Sequence, residues 1–150
     1  MSDHPTAEPT PRERNEMMIA RIRAGEPQDY VEGRHVLRIL HVPGRRTGEP
    51  RTTPIAVTQL DGRHYVCSPN RTRDWTANLL AAGHCRLEQD PDHTYRAELL
   101  EDEHAATVLA TYLGNVRPGG VNMWPFPKDA PAAVIREHLG EIAVIRLTPA

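Results

Sequence analysis

Arg45, Arg46 and Arg51 crowd into one segment, His41-Val-Pro-Gly-Arg-Arg-Thr-Gly-Glu-Pro-Arg51, of a chain whose formal charge is −2. A guanidinium is planar and permanently charged, and its donor fork matches phosphate and carboxylate oxygens. Gly44 and Gly48 let the backbone turn and bring its N–H groups near a ligand. Thr47 adds a hydroxyl, while Pro43 and Pro50 stiffen the edges and lower the ordering cost on binding. The segment reads either as an anion cradle or as a solvated turn. It is not a Walker loop, because the order of glycines and lysine is absent and a strand follows rather than a helix. Arg71 and Arg73 favour the cradle. They follow a strand expected to return alongside the first two, so five arginines are placed to converge on one cleft.

Other reactive residue types are less organised. Eight histidines are scattered with no H-x-x-x-H or H-E-x-x-H cluster, so no metal site is expected. The two cysteines, Cys67 and Cys85, lack C-x-x-C spacing. Cys67 reads as a small strand-end hydrophobe rather than a nucleophile, because no basic partner is identifiable.

The elements that must position the arginines are legible from periodicity. Residues 1–11 read as a disordered tail, and Arg12 to Ala24 as a helix with Met17, Met18, Ile19 and Ile22 on one face. That helix either packs on the domain or rests on a lipid surface, and its short apolar face favours packing. Strands are predicted over 34–42, 51–60 and 63–68, with Asp61-Gly62 as a hairpin turn. A helix capped by Asp74 or Thr72 then runs to Gly83, with Trp75, Asn78, Leu79 and Ala82 on one face. A second hairpin spans 84–89 and 94–100. A helix follows over 102–113, then a loop over 114–128. A helix from Asp129, with Pro131 in its first turn, ends at Gly140, and a last strand covers 141–147. The order is α+β and mainly antiparallel, with no βαβ repeat, which suits a small barrel with packed helices.

At 150 residues with 39% hydrophobic and 25% charged content, the chain suits one globular domain over residues 12–150. The sequence pI of about 6.4 disfavours a nucleic-acid partner. No apolar run is long enough for stable membrane insertion. The polar opening and the unpatterned cysteines predict a cytoplasmic protein with reduced thiols.

The run GRRTGEPRTTP, a DG hairpin, a strand ending VCSP and then DWTANLLAAG together resemble the deazaflavin (F420)-dependent nitroreductase family. The resemblance covers roughly Val36 to Leu100 and is weaker beyond. It implies a split β-barrel related to flavin-mononucleotide-binding oxidoreductases, and coenzyme F420 as cofactor. By the same resemblance, Arg45, Arg46, Thr47 and Arg51 hold the phosphate end and the acidic tail. Thr53, Pro54, Ile55, Cys67 and Ser68 line the deazaflavin ring, and Trp75 and Asn78 belong to the helix that closes this side. From the residues alone, Trp75 reads as core and nothing more. Asn78, if buried, must find a partner in the backbone or the cofactor loop. The run Pro69-Asn70-Arg71-Thr72-Arg73 departs from the family pattern of a lysine and glycines after the serine. Arg71 or Arg73 takes over that charge, or the ring pocket is altered, or cofactor binding is lost.

The implied activity is hydride transfer from reduced F420 to an electron-poor small molecule, such as an activated C=C bond or a nitro group. The cofactor carries that chemistry, while the protein aligns the reactants and stabilises developing charge. Ser68 and Tyr112 are the leading proton-donor candidates, with Tyr65 and His64 behind them. The 114–128 loop, with Gly119, Gly120, Met123, Trp124 and Phe126, reads either as a substrate lid or as a packed connector. Alternatives are a flavin-mononucleotide enzyme on the same barrel, or a cofactor-free relative that binds or transforms a small molecule. A homodimer is expected only by fold analogy.

Overall fold

The computed structural model describes residues 8–90, 94–116 and 124–150. Its strands are β1 (His35–Pro43), β2 (Pro50–Leu60), β3 (Arg63–Ser68), β4 (His84–Leu87), β5 (Thr94–Leu100) and β6 (Ala143–Pro149). Its helices are α1 (Pro11–Ala24), α2 (Asp74–Ala82), α3 (Glu103–Gly114) and α4 (Ala132–Glu137). The strands close into an antiparallel barrel in the order β1-β2-β3-β6-β5-β4, the split-barrel architecture implied by the motifs.

Alternating side chains create two cores. Leu40, Val42, Ile55, Val57, Val66, Leu87, Ile145 and Leu147 form the first, within the barrel. Tyr65 and Val144 face outward from β3 and β6. They pack with Leu109 and Leu113 of α3 and Ile135 of α4. A strand buried on both faces is nearly continuously apolar, which explains Ala143-Val-Ile at the start of β6.

The hairpin between β2 and β3 turns through Asp61 and Gly62, with φ of 54° and 73°, as a primed turn requires. Its pairing extends only through Leu60↔Arg63, Gln59↔His64 and Thr58↔Tyr65. Beyond that, β2 stays with β1 as far as Pro43↔Pro50, while β3 pairs with β6 as far as Ser68↔Ala143. The two strands part there, and α2 packs against β1, β4 and β5, with its Leu79 fully buried in the barrel core. Gly83 ends α2 at φ 73°, a conformation costly for any residue with a Cβ. The β1–β2 loop lies beside α2, joined to it through Arg45 and Asn78.

Several expected boundaries shift. Helix α1 starts at Pro11 because Thr10 and Glu13 form a capping box, so the expected tail ends earlier; Met1 to Ala7 lie outside the described residues. Neither Thr72 nor Asp74 caps α2. Arg73 occupies that position without a side-chain cap bond, and Thr72 is tied back to Asn70 through its N–H and hydroxyl. Helix α4 is shorter than expected, because Pro131 is extended at ψ 157° and disfavours helical geometry for the residue before it.

Helix α1 docks on the barrel through buried Ile19 and a polar latch. Arg23 donates to both oxygens of Glu88 at 2.9 and 2.7 Å, and His41 Nε2 lies 2.9 Å from the same carboxylate. The Arg23 hydrogen bond, helped by His41 and opposed by burial, holds the Glu88 carboxyl down at about 2. A free glutamate titrates near ~4.3. The latch is therefore complete above that value and is lost as pH falls through about 2. Amide protection in α1 is expected to fall over that acid window before protection in α3 does. Glu88→Gln should abolish this separation; simultaneous loss in both helices of the wild-type protein would refute it.

Candidate functional site

The β1–β2 loop closes on itself. Gly44 N–H donates to Glu49 O and Gly48 N–H donates to Gly44 O, both at 2.8 Å. Gly48 sits at φ 75°. The need for glycine at position 44 is one of space: a Cβ there would lie 3.3 Å from Arg51 Nε and 3.4 Å from Glu49 O. The Arg51 side chain is thus laid across Gly44. Thr47 Oγ1 accepts from Glu49 N–H at 3.2 Å, fixing the loop tip.

Helix α2 supplies the opposite wall. Asn78 is 5% exposed, and its Oδ1 accepts from the backbone N–H of Arg45 at 3.0 Å and from Arg45 Nη1 at 2.9 Å. Those two donors satisfy a buried carbonyl that would otherwise carry a desolvation cost of ~1–3 kcal/mol. One helix residue thereby orients both the main chain and the side chain of the loop. Trp75 is only half-buried; it packs on the barrel core and also faces the cleft.

Between these walls lies a cleft of about 260 Å³ lined by Gly44, Arg45, Arg46, Thr47, Arg51, Thr53, Trp75 and Asn78. Thr52 and Asp74 complete it. In sequence Asp74 reads as a helix cap, and Thr52 carries no signal of a site. The available signal for Asp74 was its place immediately before Trp75, one turn ahead of Asn78.

The remaining sequence candidates lie elsewhere. Gly48 and Pro50 line a neighbouring groove on the other side of the loop. Pro54 is half-buried on β2, outside the cleft lining, and Ile55 is buried in the barrel core. Ser68 is fully buried, and its hydroxyl donates to Asn70 O at 2.9 Å while accepting from Thr76 Oγ1 at 2.7 Å. Such a saturated hydroxyl serves the β3–α2 turn, and it faces neither cleft nor solvent. Cys67 points to the outer core beneath α3, where burial pushes its thiol up to about 12. Arg71 is directed away from the cleft: Nε donates to Ile142 O at 2.7 Å, and Nη2 reaches Leu139 O and Glu101. It staples the turn after α4 to the β3–α2 loop. Arg73 is exposed at the start of α2 and outside the cleft lining, so three of the five arginines share one cavity.

Tyr112 on α3 is half-buried. Burial raises its phenol pKa, Cys67 adds to the rise, and Arg73 opposes it. Its ring lies 5.6 Å from that of His35 and 6.2 Å from that of Trp124. Trp124 and Phe126 are buried in the outer core, so this part of the expected lid is packed connector. Gly119, Gly120 and Met123 lie outside the described residues. Tyr65 is fully buried with its hydroxyl 2.9 Å from His104 Nε2. His64 stacks on Tyr30 with ring centroids 3.8 Å apart.

Residues 12–118 match the family model described as F420H(2)-dependent quinone reductase. The chain belongs to the F420H(2)-dependent quinone reductase family. Its cofactor is accordingly coenzyme F420, and it is an F420-dependent oxidoreductase. The donor set of the cleft fits that group, since three guanidinium side chains around one cavity suit a ligand bearing phosphate and carboxylates. No curated protein matches the chain.

Three solved structures similar to this family member are distant from it in sequence. One is a nimC/nimA family protein from Clostridium acetobutylicum, at 16% identity and a TM-score of 0.48, covering 75% of this chain and 71% of that one. A protein described as an F420 reductase shows 14% identity and a TM-score of 0.45, covering 83% of this chain and 96% of that one. A heme binding protein from Mycobacterium smegmatis shows 17% identity and a TM-score of 0.47 over 74% of this chain, which spans only 45% of that protein. Among the described residues, no helix is long and apolar enough to cross a membrane.

Proposed function

We propose that this family member reduces a quinone-class or similarly electron-poor molecule, an enone or nitroaromatic being the nearest alternatives, and that Tyr112 supplies the proton. The observation that carries the reading is the single cleft where Arg45, Arg46 and Arg51 meet against Trp75. F420, when reduced and bound, supplies the hydride. Arg46 and Arg51 bind its anionic end, Arg45 is preset by Asn78, and Trp75 offers an aromatic wall.

Hydride addition to a conjugated carbonyl leaves an oxyanion that must be protonated. Tyr112 suits that step, because burial keeps its phenol protonated at neutral pH. The charge of Arg73, the residue preceding Asp74 and Trp75, acts on this phenol, which supports the assignment. The same arginine favours the phenolate that forms transiently after donation.

Anaerobic mixing with F420H2 and a benzoquinone, an enone or a nitroaromatic tests this, with recovery of oxidised F420 as the readout. Quinone is expected to be the best acceptor; no acceptor exceeding the protein-free rate would overturn the reading. Titration with F420 and flavin mononucleotide should show selective binding of F420. Tyr112→Phe should lower kcat about tenfold and leave F420 affinity unchanged. That is below the usual ~10²–10⁴ of a general acid, because water also reaches a quinone oxygen. An unaltered kcat would remove Tyr112 from the chemistry.

A further inference from the structure

The cleft holds one group that an anion site does not call for. Asp74, the first residue of α2, lines it together with Arg45, Arg46 and Arg51, and its side chain is 92% exposed. Its Oδ1 lies 3.5 Å from Arg45 Nη1 and 3.4 Å from Nη2. Charge-assisted bonds between guanidinium and carboxylate close to ~2.7–2.9 Å. Arg45 reserves that contact for the amide of Asn78 at 2.9 Å. Asp74 therefore stands in the cleft as an acceptor held near Arg45 without being clamped by it.

A carboxylate beside a phosphate site repels the phosphate. It is useful there only if the ligand offers it hydrogen-bond donors. Trp75 follows Asp74 directly and faces the same cavity, so the donors must lie between an anionic end at the arginines and a planar end at the indole. From this arrangement we infer that Asp74 is a specificity-determining residue that accepts hydrogen bonds from the hydroxyls of a polyol linker joining phosphate to ring. It rewards a polyol phosphate and penalises bare phosphate. The inference rests on the F420 reading for the identity of the whole ligand, but the polyol contact can be tested without it.

The probes are inorganic phosphate, ribitol 5-phosphate and F420, titrated into the full chain and into Asp74→Asn and Asp74→Ala. In the wild-type protein, ribitol 5-phosphate should bind several-fold more tightly than phosphate. In Asp74→Ala, phosphate should tighten about threefold as repulsion is removed, while ribitol 5-phosphate and F420 weaken roughly fivefold. Asp74→Asn, which keeps a carbonyl acceptor, should fall between. Unchanged thermal unfolding in Asp74→Asn excludes loss of α2 as the cause. Tightening of all three ligands in Asp74→Ala would make Asp74 a mere counter-charge and overturn the inference, as would weakening of all three or no change. If F420 fails to bind while the two phosphates behave as stated, the cofactor assignment falls and the role of Asp74 stands.

Discussion

Replacing Arg46 by alanine should weaken F420 binding roughly 10- to 150-fold and leave unfolding unchanged. The binding figure is the ~1.5–3 kcal/mol of one hydrogen bond to a charged group. The unchanged stability follows from its position, since Arg46 is exposed and lines the cleft. Arg46→Lys should restore only part of the loss, because an ammonium cannot form the two parallel bonds of a guanidinium fork. Arg45→Ala separates the two arginines. It also removes one donor from the buried Oδ1 of Asn78, so it should lower both affinity and stability. Equal F420 affinity in wild type and Arg46→Ala, followed by cofactor fluorescence, would take Arg46 out of the site.

The largest effect on stability is expected at the opposite end of the barrel. Asp90 is fully buried and Arg38 is 3% exposed. Arg38 Nε donates to Asp90 Oδ1 at 2.7 Å, and the hydroxyls of Tyr30 and Tyr95 both donate to Oδ2 at 2.6 Å. The Arg38 guanidinium also lies over the Tyr30 ring, 4.7 Å from its centroid. Asp90→Ala leaves that guanidinium buried without its counter-charge, along with two phenols that have lost their acceptor. Breaking such a pair costs ~3–5 kcal/mol. At this chain length that is on the order of 10 °C in Tm. Urea unfolding should show the midpoint falling with little change in slope. Glu98→Gln gives the contrast: its partner Arg146 sits 2.8 Å away at the surface, and exposed pairs contribute ~0–1 kcal/mol. A midpoint within error of wild type in Asp90→Ala would show that the network carries no net stability.

Much of this was legible in local sequence. Strand alternation, the Asp61-Gly62 turn and Gly83 placed the elements to within a few residues, because each signal acts over a handful of neighbours. The Gly44–Arg51 loop was legible for the same reason, as glycine, proline and arginine declare a turn and its charge without reference to distant parts of the chain. The roles of Arg71 and Ser68 were not. Arg71 is bound by carbonyls about seventy residues away, at Leu139 and Ile142. Ser68 is saturated by Asn70 and Thr76 only because the β3–α2 turn brings them together.

The chain's own order of residues thus determined that a short, rigid, strongly cationic loop joins two strands of an antiparallel barrel, and that a helix with Trp75 and Asn78 on one face follows. Tertiary structure alone decided which charges share a cavity. Helix α2 packs against β1, β4 and β5, and Asn78 draws Arg45 inward while Arg71 is taken up by the turn after α4. A guanidinium is equally at home on phosphate, carboxylate or a backbone carbonyl. Which of these it meets depends on contacts between residues far apart in the chain, and no local pattern encodes those.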